Sequence, residues 1–190
     1  MTYKIEGPFD ASYFLQKLPE ILAVYREAFS GAPWFLSISP VTAYSRISNH
    51  INRNEFTAFI AREENGEIVG VVWFYSPTPE ELETDEGPDL KEFAERILRE
   101  NKIRKIVWER EIHVRPKYQG QHIATKLRKM MLSFLASKYP EGVLLFTRMR
   151  EDNAAVIKVA EKVGFQRTGI RVSSTSKLNV QHEYWYQKLK

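Results

Sequence analysis

In the stretch Val114-Arg115-Pro116-Lys117-Tyr118-Gln119-Gly120-Gln121-His122-Ile123-Ala124-Thr125, small and polar residues separate two periodic runs. The run before it, Ile106 to Val114, reads as a strand; the run after it, from about His122 to Ser137, reads as a helix. A loop of this kind gathers free backbone N–H groups at a helix N-terminus, where the peptide dipoles also favour negative charge. The chemistry it offers is anion binding, with a phosphate or diphosphate as the natural ligand. The strand in front, Trp108-Glu109-Arg110-Glu111-Ile112-His113, is unusually polar for a central strand. By alternation Glu109, Glu111 and His113 share one face and Ile112 and Val114 the other, a phase that a β-bulge would change. A carboxylate or imidazole in that place can accept a proton. The competing role is ion pairing with Arg110, Arg148 or Arg150.

The rest of the composition narrows the classes. The chain has 190 residues, enough for one domain with an insertion and a proper core. With no cysteine, disulfides, thiolate metal sites and cysteine nucleophiles are excluded. His50, His113, His122 and His182 lack metal-ligand spacing, so no metal is expected. No Gly-x-Ser-x-Gly elbow or Walker-type loop occurs. No apolar run approaches the ~20 residues of a membrane span, and the first residues lack the features of a signal or transit peptide, so a cytoplasmic location is expected. Lys and Arg number 28 against 24 Asp and Glu. Lys126, Arg128 and Lys129 form the nearest thing to a basic cluster and read as a solvated helix face, which leaves nucleic acid as the weaker reading.

The elements that must position the loop follow from periodicity. Tyr3 to Ile5 suits a short edge strand. Pro19 to Phe29 carries Ile21, Leu22, Tyr25 and Phe29 on one helical face, ending near Gly31 and Pro33. Ser39-Pro40 reads as an N-cap and first-turn proline, with Tyr44, Ile47 and Ile51 as the next stripe. Thr57 to Arg62 and Ile68 to Tyr75 flank Glu64-Asn65-Gly66-Glu67, a hairpin signal. Ser76 to Gly87, with Glu80, Glu81, Glu83, Asp85 and Glu86, reads as an exposed acidic loop. Asp89 can cap a helix carrying Leu90, Phe93, Ala94, Ile97 and Leu98, which must cover a sheet or a partner subunit. After the loop come a stripe of Ile123, Leu127, Met130, Phe134 and Leu135, then a buried strand from Gly142 to Phe146. A helix capped by Asn153, with Val156, Ile157, Ala160 and Val163 inward, stops at Gly164. Phe165 to Val172 and His182 to Leu189 close the chain as strands. The expectation is a single α/β (α+β) domain over residues 1–190, with an insertion at about 76–102.

Gln119 to Ala124 resembles the phosphate loop of the GNAT acetyltransferases, Gln/Arg-x-x-Gly-x-Gly/Ala, with His122 where the family has glycine. Asp152-Asn153-Ala154-Ala155-Val156-Ile157-Lys158-Val159-Ala160-Glu161-Lys162-Val163-Gly164-Phe165 is similar to the family's Asn-x-x-Ala-x-x-Leu-Tyr-Glu-Lys-x-Gly-Phe segment. The resemblance runs from Ile106 to about Arg171, and the element order matches. It implies a GNAT fold: a mixed, mostly antiparallel sheet of about six to seven strands flanked by helices, with an added helix before the fourth strand.

It further implies acetyl-CoA as co-substrate and direct attack of a primary amine on its thioester. The diphosphate would lie on the N–H groups of Gln119, Gly120, Gln121, His122, Ile123, Ala124 and Thr125. The pantetheine arm would pair with Ile112, His113 and Val114, and Asn153 would reach the arm. If the backbone at His122 is helical, histidine is sterically tolerated there; if close approach is obligatory, binding weakens. Glu111 is the first choice of base, then Glu109 and His113, with the Val114 N–H polarising the thioester carbonyl. Where many relatives carry a tyrosine to protonate the leaving thiolate, this chain has Ala160; Tyr184 or Tyr186 could substitute. Trp34, Phe35, Trp73 and Tyr75 are candidate walls of the acceptor slot, with core packing as the alternative. A non-catalytic acyl-CoA sensor is the competing function and an interaction protein the third; either a monomer or a homodimer is compatible.

Overall fold

The computed structural model describes residues 2–173 and 180–190. Along the chain lie β1 (Tyr3–Phe9), α1 (Ala11–Gln16), α2 (Leu18–Ser30), α3 (Pro40–Ile51), β2 (Thr57–Glu63) and β3 (Ile68–Tyr75). They are followed by α4 (Pro79–Glu86), α5 (Pro88–Asn101), β4 (Ile106–Val114), a 3-10 turn at Pro116–Tyr118, and α6 (Ile123–Lys138). The last elements are β5 (Val143–Arg150), α7 (Ala154–Lys162), β6 (Gln166–Ser173) and β7 (Gln181–Leu189). The strands form one seven-stranded sheet in the order β1-β2-β3-β4-β5-β7-β6. It is mixed and mostly antiparallel, as expected: β4 and β5 run parallel, whereas β1/β2, β2/β3, β5/β7 and β6/β7 are antiparallel. The chain divides into two compact units, residues 1–75 with 110–131 and residues 76–109 with 132–190.

In the first unit, the Asn65-Gly66 turn closes the β2/β3 hairpin, with Gly66 at φ 90°, a backbone that glycine adopts without a Cβ penalty. Both strands are apolar enough to be buried on two faces, and β3 is buried along its whole length. Ile21, Val24 and Tyr25 of α2 and Ala43 and Ile47 of α3 pack on Ala58, Ile60, Val71 and Trp73. Ser39 caps α3 as its sequence predicts, accepting from the Thr42 N–H at 3.1 Å. Tyr44, expected in the α3 stripe, is instead 51% exposed, and Ala43 and His50 take the inner face. Helix α1 is an addition to the expected order: Asp10 caps it through the Tyr13 N–H at 2.9 Å.

In the second unit, the acidic stretch is not a loop. Thr78 and Glu81 form a capping box, Pro79 occupies the first turn, and Glu80 and Glu81 complement the helix dipole, so residues 79–86 fold as α4 with Leu82 buried. Helix α5 covers the sheet of its own unit: the Phe93 ring lies 6.2 Å from Phe146 and 5.1 Å from Tyr186. Each such aromatic pair is worth about 1 kcal/mol beyond its buried area.

Helix α6 starts at Ile123 and buries Ile123, Leu127, Met131 and Leu135 at a strict four-residue spacing. Met130, expected inside, is 42% exposed. Arg128, read from sequence as part of a solvated face, is completely buried. No helix among the described residues is long and apolar enough to cross a membrane.

Candidate cofactor and acceptor site

The segment after β4 is braced by polar contacts within the first unit. The Arg115 N–H donates to Val69 O, its Nε to Ile68 O at 2.9 Å, and its guanidinium pairs with Glu27 at 2.8 Å and Glu67 at 2.9 Å. The Tyr118 hydroxyl lies between two hairpin carboxylates, 2.5 Å from Glu63 and 2.9 Å from Glu67, and Lys117 reaches Glu67 at 3.2 Å. Gln119 Nε2 donates to Val114 O at 3.2 Å, and the Tyr3 hydroxyl donates to Gln121 O at 3.1 Å. Gly70 lets the start of α6 settle on β3: a Cβ there would meet Ile123 Cγ2 at 3.1 Å and His113 O at 3.2 Å. None of Arg115, Tyr118, Glu67 or Gly70 was singled out from sequence. Gly70 alone gave a signal, being a glycine inside a β-branched run, which marks a close approach of backbone or ligand.

This bracing presents the loop's amides. Lys126 N–H bonds His122 O at 3.0 Å, which makes His122 the N-cap and leaves the Ile123, Ala124 and Thr125 N–H groups without intrahelical acceptors. The His122 side chain has no oxygen with which to cap them. Gly120 sits at φ 78°, with nothing within 4 Å of where a Cβ would be. His122 sits at φ 63°, so its backbone is left-handed and not the right-handed helix under which histidine would be unstrained. The fold retains the glycine conformation and imposes it on a histidine, at a cost of about 1–2 kcal/mol. Gln119, Gly120 and His122 are exposed and Gln121 and Ala124 partly so, whereas the Ile123 and Thr125 side chains are nearly buried and leave only their amides for a ligand.

On β4, His113 Nε2–H donates to Glu111 Oε2 at 3.0 Å. Burial is the largest single influence on the Glu111 carboxyl and raises its pKa. The His113 bond and charge, with Arg110 and His50, outweigh burial and hold it at about 2. Glu111 is therefore ionised throughout the physiological range. The His113 ring is packed by Tyr25 at 4.8 Å, Phe29 at 5.2 Å and Trp73 at 5.8 Å.

Arg110 and Glu111 both act electrostatically on the Tyr25 hydroxyl. Glu111 and His113 lie on one face, as alternation predicts, and are joined by their hydrogen bond. Glu109, only 1% exposed, accepts instead from Thr147 Oγ1 at 3.4 Å within the second unit. The β4/β5 ladder runs from Ile106↔Leu144 to Glu109↔Thr147, while β4 itself continues through Ile112 to Val114.

The remaining expected residues fare differently. Trp73 has no exposed surface and Tyr75 almost none, so both serve the core of the first unit. Phe35 is 75% exposed, and Trp34 is partly buried against Phe29 at 4.8 Å. In the second unit, Asn153 caps α7 by accepting from the Val156 N–H at 3.3 Å. The Tyr184 hydroxyl bonds the Glu86 backbone oxygen at 3.1 Å and its carboxylate at 3.0 Å. Burial, then the Glu86 charge, pushes the Tyr184 pKa up to about 12, a poor match for donating a proton near neutral pH. Ala160 is fully buried. No group of three or more metal-ligating side chains occurs among the described residues.

Known proteins bear on this geometry. No curated protein sequence matches the chain. Among solved structures, it resembles the ribosomal-protein-S18-alanine N-acetyltransferase from Escherichia coli, with TM-score 0.67 and 16% identity over 100% of this chain and 95% of that one. An N-acetyltransferase from Staphylococcus aureus Mu50 gives TM-score 0.66 and 19% identity over 100% of both chains. A GNAT superfamily phosphinothricin acetyltransferase from Sinorhizobium meliloti, solved with AcCoA, gives 0.65 and 15% over 100% of this chain and 89% of that one. At such identities the likeness establishes the fold alone. The sequence profile described as the acetyltransferase (GNAT) family, however, matches residues 18–165. With that match, the chain belongs to the GNAT acetyltransferase family.

Proposed function

We propose that this protein is an acetyl-CoA-dependent N-acetyltransferase acting on a primary amine. The observation that carries the proposal is the α6 N-terminus: three amides without intrahelical acceptors behind a braced Gly120–His122 loop, in a chain of this family. Such a donor set fits a diphosphate, and the open space at Gly120 leaves room for close approach. The co-substrate supplies an activated acetyl thioester. Ile112 to Val114 provide extended backbone for its arm, and the Val114 N–H would polarise the thioester carbonyl.

Glu111 and His113 are the acid–base groups. With a pKa near 2, Glu111 alone is a weak base for an ammonium. Its carboxylate attracts the cationic amine and orients the His113 ring through their hydrogen bond, and the imidazole takes the proton that leaves the nucleophile. A second reading, an acyl-CoA sensor, draws on two observations. Ala160 carries no acid, and the Tyr184 hydrogen is committed to Glu86.

Thiol release from acetyl-CoA across small amines, amino acids, polyamines, aminoglycosides and peptide N-termini decides between them. We expect turnover with one class and a fall of about a hundredfold in kcat for Glu111→Gln with CoA binding retained. CoA binding without turnover throughout would leave the sensor. The same variant tests the charge assignment. Because the folded pKa of Glu111 is lowered from 4.5 to about 2, its stabilisation is complete above pH 4.5 and is lost as pH falls through 2. Wild-type stability should therefore drop more steeply than that of Glu111→Gln over this window, in urea titrations at stepped pH. Parallel curves would remove the assignment.

A further inference from the structure

Helix α5, in the second unit, buries Leu90, Ala94 and Ile97 and turns a stripe of Asp89, Glu92, Glu95, Arg96, Arg99 and Lys102 the other way. The signs along this stripe are segregated, with the acids in its N-terminal half and the bases in its C-terminal half. The helix dipole favours that sense, but the stripe makes little use of itself. The side chains of Asp89, Glu92 and Arg99 form no ion pair or hydrogen bond among the described residues. Arg96 lies over the Phe93 ring at 5.0 Å and meets Glu100 at 3.5 Å, both groups half-exposed. The stripe borders a cleft of about 690 Å³ between α5 and β6, whose walls include the half-buried Phe93 and Ile170. Strand β6 is the outermost of its sheet, and it carries a bulge: Arg167 to Arg171 spans the register that β7 covers from Trp185 to Glu183, with Gly169 at φ 81°. An edge bent in this way is a poor template for another strand, so a helix suits the cleft better.

We infer that the occupant is a second copy of this chain, in a two-fold homodimer whose α5 helices lie antiparallel, each against the cleft of the other copy. An axis passing between Glu95 and Arg96 sets Glu95 against the partner's Arg96, Glu92 against the partner's Arg99 and Asp89 against the partner's Lys102. The symmetry repeats each pair, so every acid of the stripe meets a base. A parallel pairing, or an axis moved one helical turn, opposes like charges instead. The charge pattern thus specifies its own partner and its own register. Exposed ion pairs are individually weak, and α5 is only ~21 Å long. The dimer is therefore weak and salt-sensitive, with Kd on the order of 10–100 μM at low salt. None of this depends on the acetyltransferase reading.

Sedimentation velocity of the full chain over a concentration series reads the dimer directly. We expect Kd to rise at least about tenfold between about 0.05 and 0.5 M salt. Glu92→Arg and Arg99→Glu each oppose like charges twice and should each raise Kd at least about tenfold at low salt. Mixing the two variants pairs acid with base again and should restore a heterodimer within about threefold of the wild-type Kd, as should Glu92→Arg with Arg99→Glu in one chain. Restoration also shows that the variants fold. A second measurement needs no charge reversal: the chain has no cysteine, so Glu95→Cys beside the axis should be joined to itself by a short bis-maleimide, and Asp85→Cys on α4 should not.

A wild-type chain that stays monomeric to about 500 μM at low salt overturns the inference. So does a dimer that neither single reversal weakens, which would use another surface. Single reversals that weaken the dimer without recovery, either on mixing or in the double variant, overturn the antiparallel register, and so does an absence of cross-linking through Glu95→Cys. Recovery on mixing together with that cross-link sustains it.

Discussion

Helices α6 and α7 both begin where the family resemblance places cofactor contacts, yet they begin in opposite ways. Helix α7 opens on Asn153, whose side-chain oxygen already accepts from the Val156 N–H. Helix α6 opens on His122, held at φ 63° with no side-chain oxygen to offer, and its first amides point out of a loop braced by Arg115 and Tyr118. One start is completed by the chain itself; the other is strained and left open. A start that nature could have capped for about 1 kcal/mol, and did not, is the better candidate for an external anion.

The largest effect should come from closing the open start. Ala124→Asp puts a carboxylate in the first turn of α6, where it satisfies the amides and repels a diphosphate. We expect CoA affinity to fall about a hundredfold while the unliganded protein gains about 0.5 kcal/mol. Ala155→Asp, at the equivalent position of α7, should leave CoA affinity within about twofold. Equal losses in the two variants, measured by calorimetry, would erase the contrast.

A smaller effect is expected from Asn153→Ala, which removes the internal cap of α7 at about 1 kcal/mol and lowers Tm by about 2–4 °C. CoA affinity should change less than about threefold, because that oxygen is committed to Val156. A loss beyond tenfold would show that the Asn153 amide N–H group touches the cofactor and that α7 is not self-contained.

The smallest is His122→Gly. Relief of left-handed strain is partly offset by glycine's greater freedom in the unfolded chain, for a net gain below about 1 kcal/mol in urea unfolding. Tighter CoA binding in that variant would mark the ring as a steric obstacle, and weaker binding would mark it as a ligand.

Much of this contrast was legible in the residues themselves. The Gln119–Ala124 spacing, the Asn65-Gly66 turn, the Ser39-Pro40 cap and the Asn153 cap are local signals, and each sits where local chemistry puts it. What local signals cannot carry is the sign of φ at His122, which the packing of α6 on Gly70 and the tethers on Arg115 impose from outside. Arg128 shows the limit of charge as a guide to exposure: three basic residues in four positions read as a solvated face, but helical rotation turns the middle one inward. The misreading of α4 was different, because Thr78-Pro79-Glu80-Glu81 spells out a capping box and the density of carboxylates obscured it.

The β2/β3 turn has a bearing on how long the protein keeps its shape. Asn65 Oδ1 accepts from the Glu67 N–H at 2.8 Å, and Glu63 and Glu67 on either side of the turn hold Tyr118, Lys117 and Arg115. An asparagine followed by glycine is also the pair whose side chain is most readily attacked by the next backbone nitrogen, since no Cβ shields it. Ageing of the sample by deamidation at Asn65 would add a negative charge between the two glutamates and lengthen the backbone there. The damage would surface in the loop after β4, some fifty residues along the chain from the altered atom.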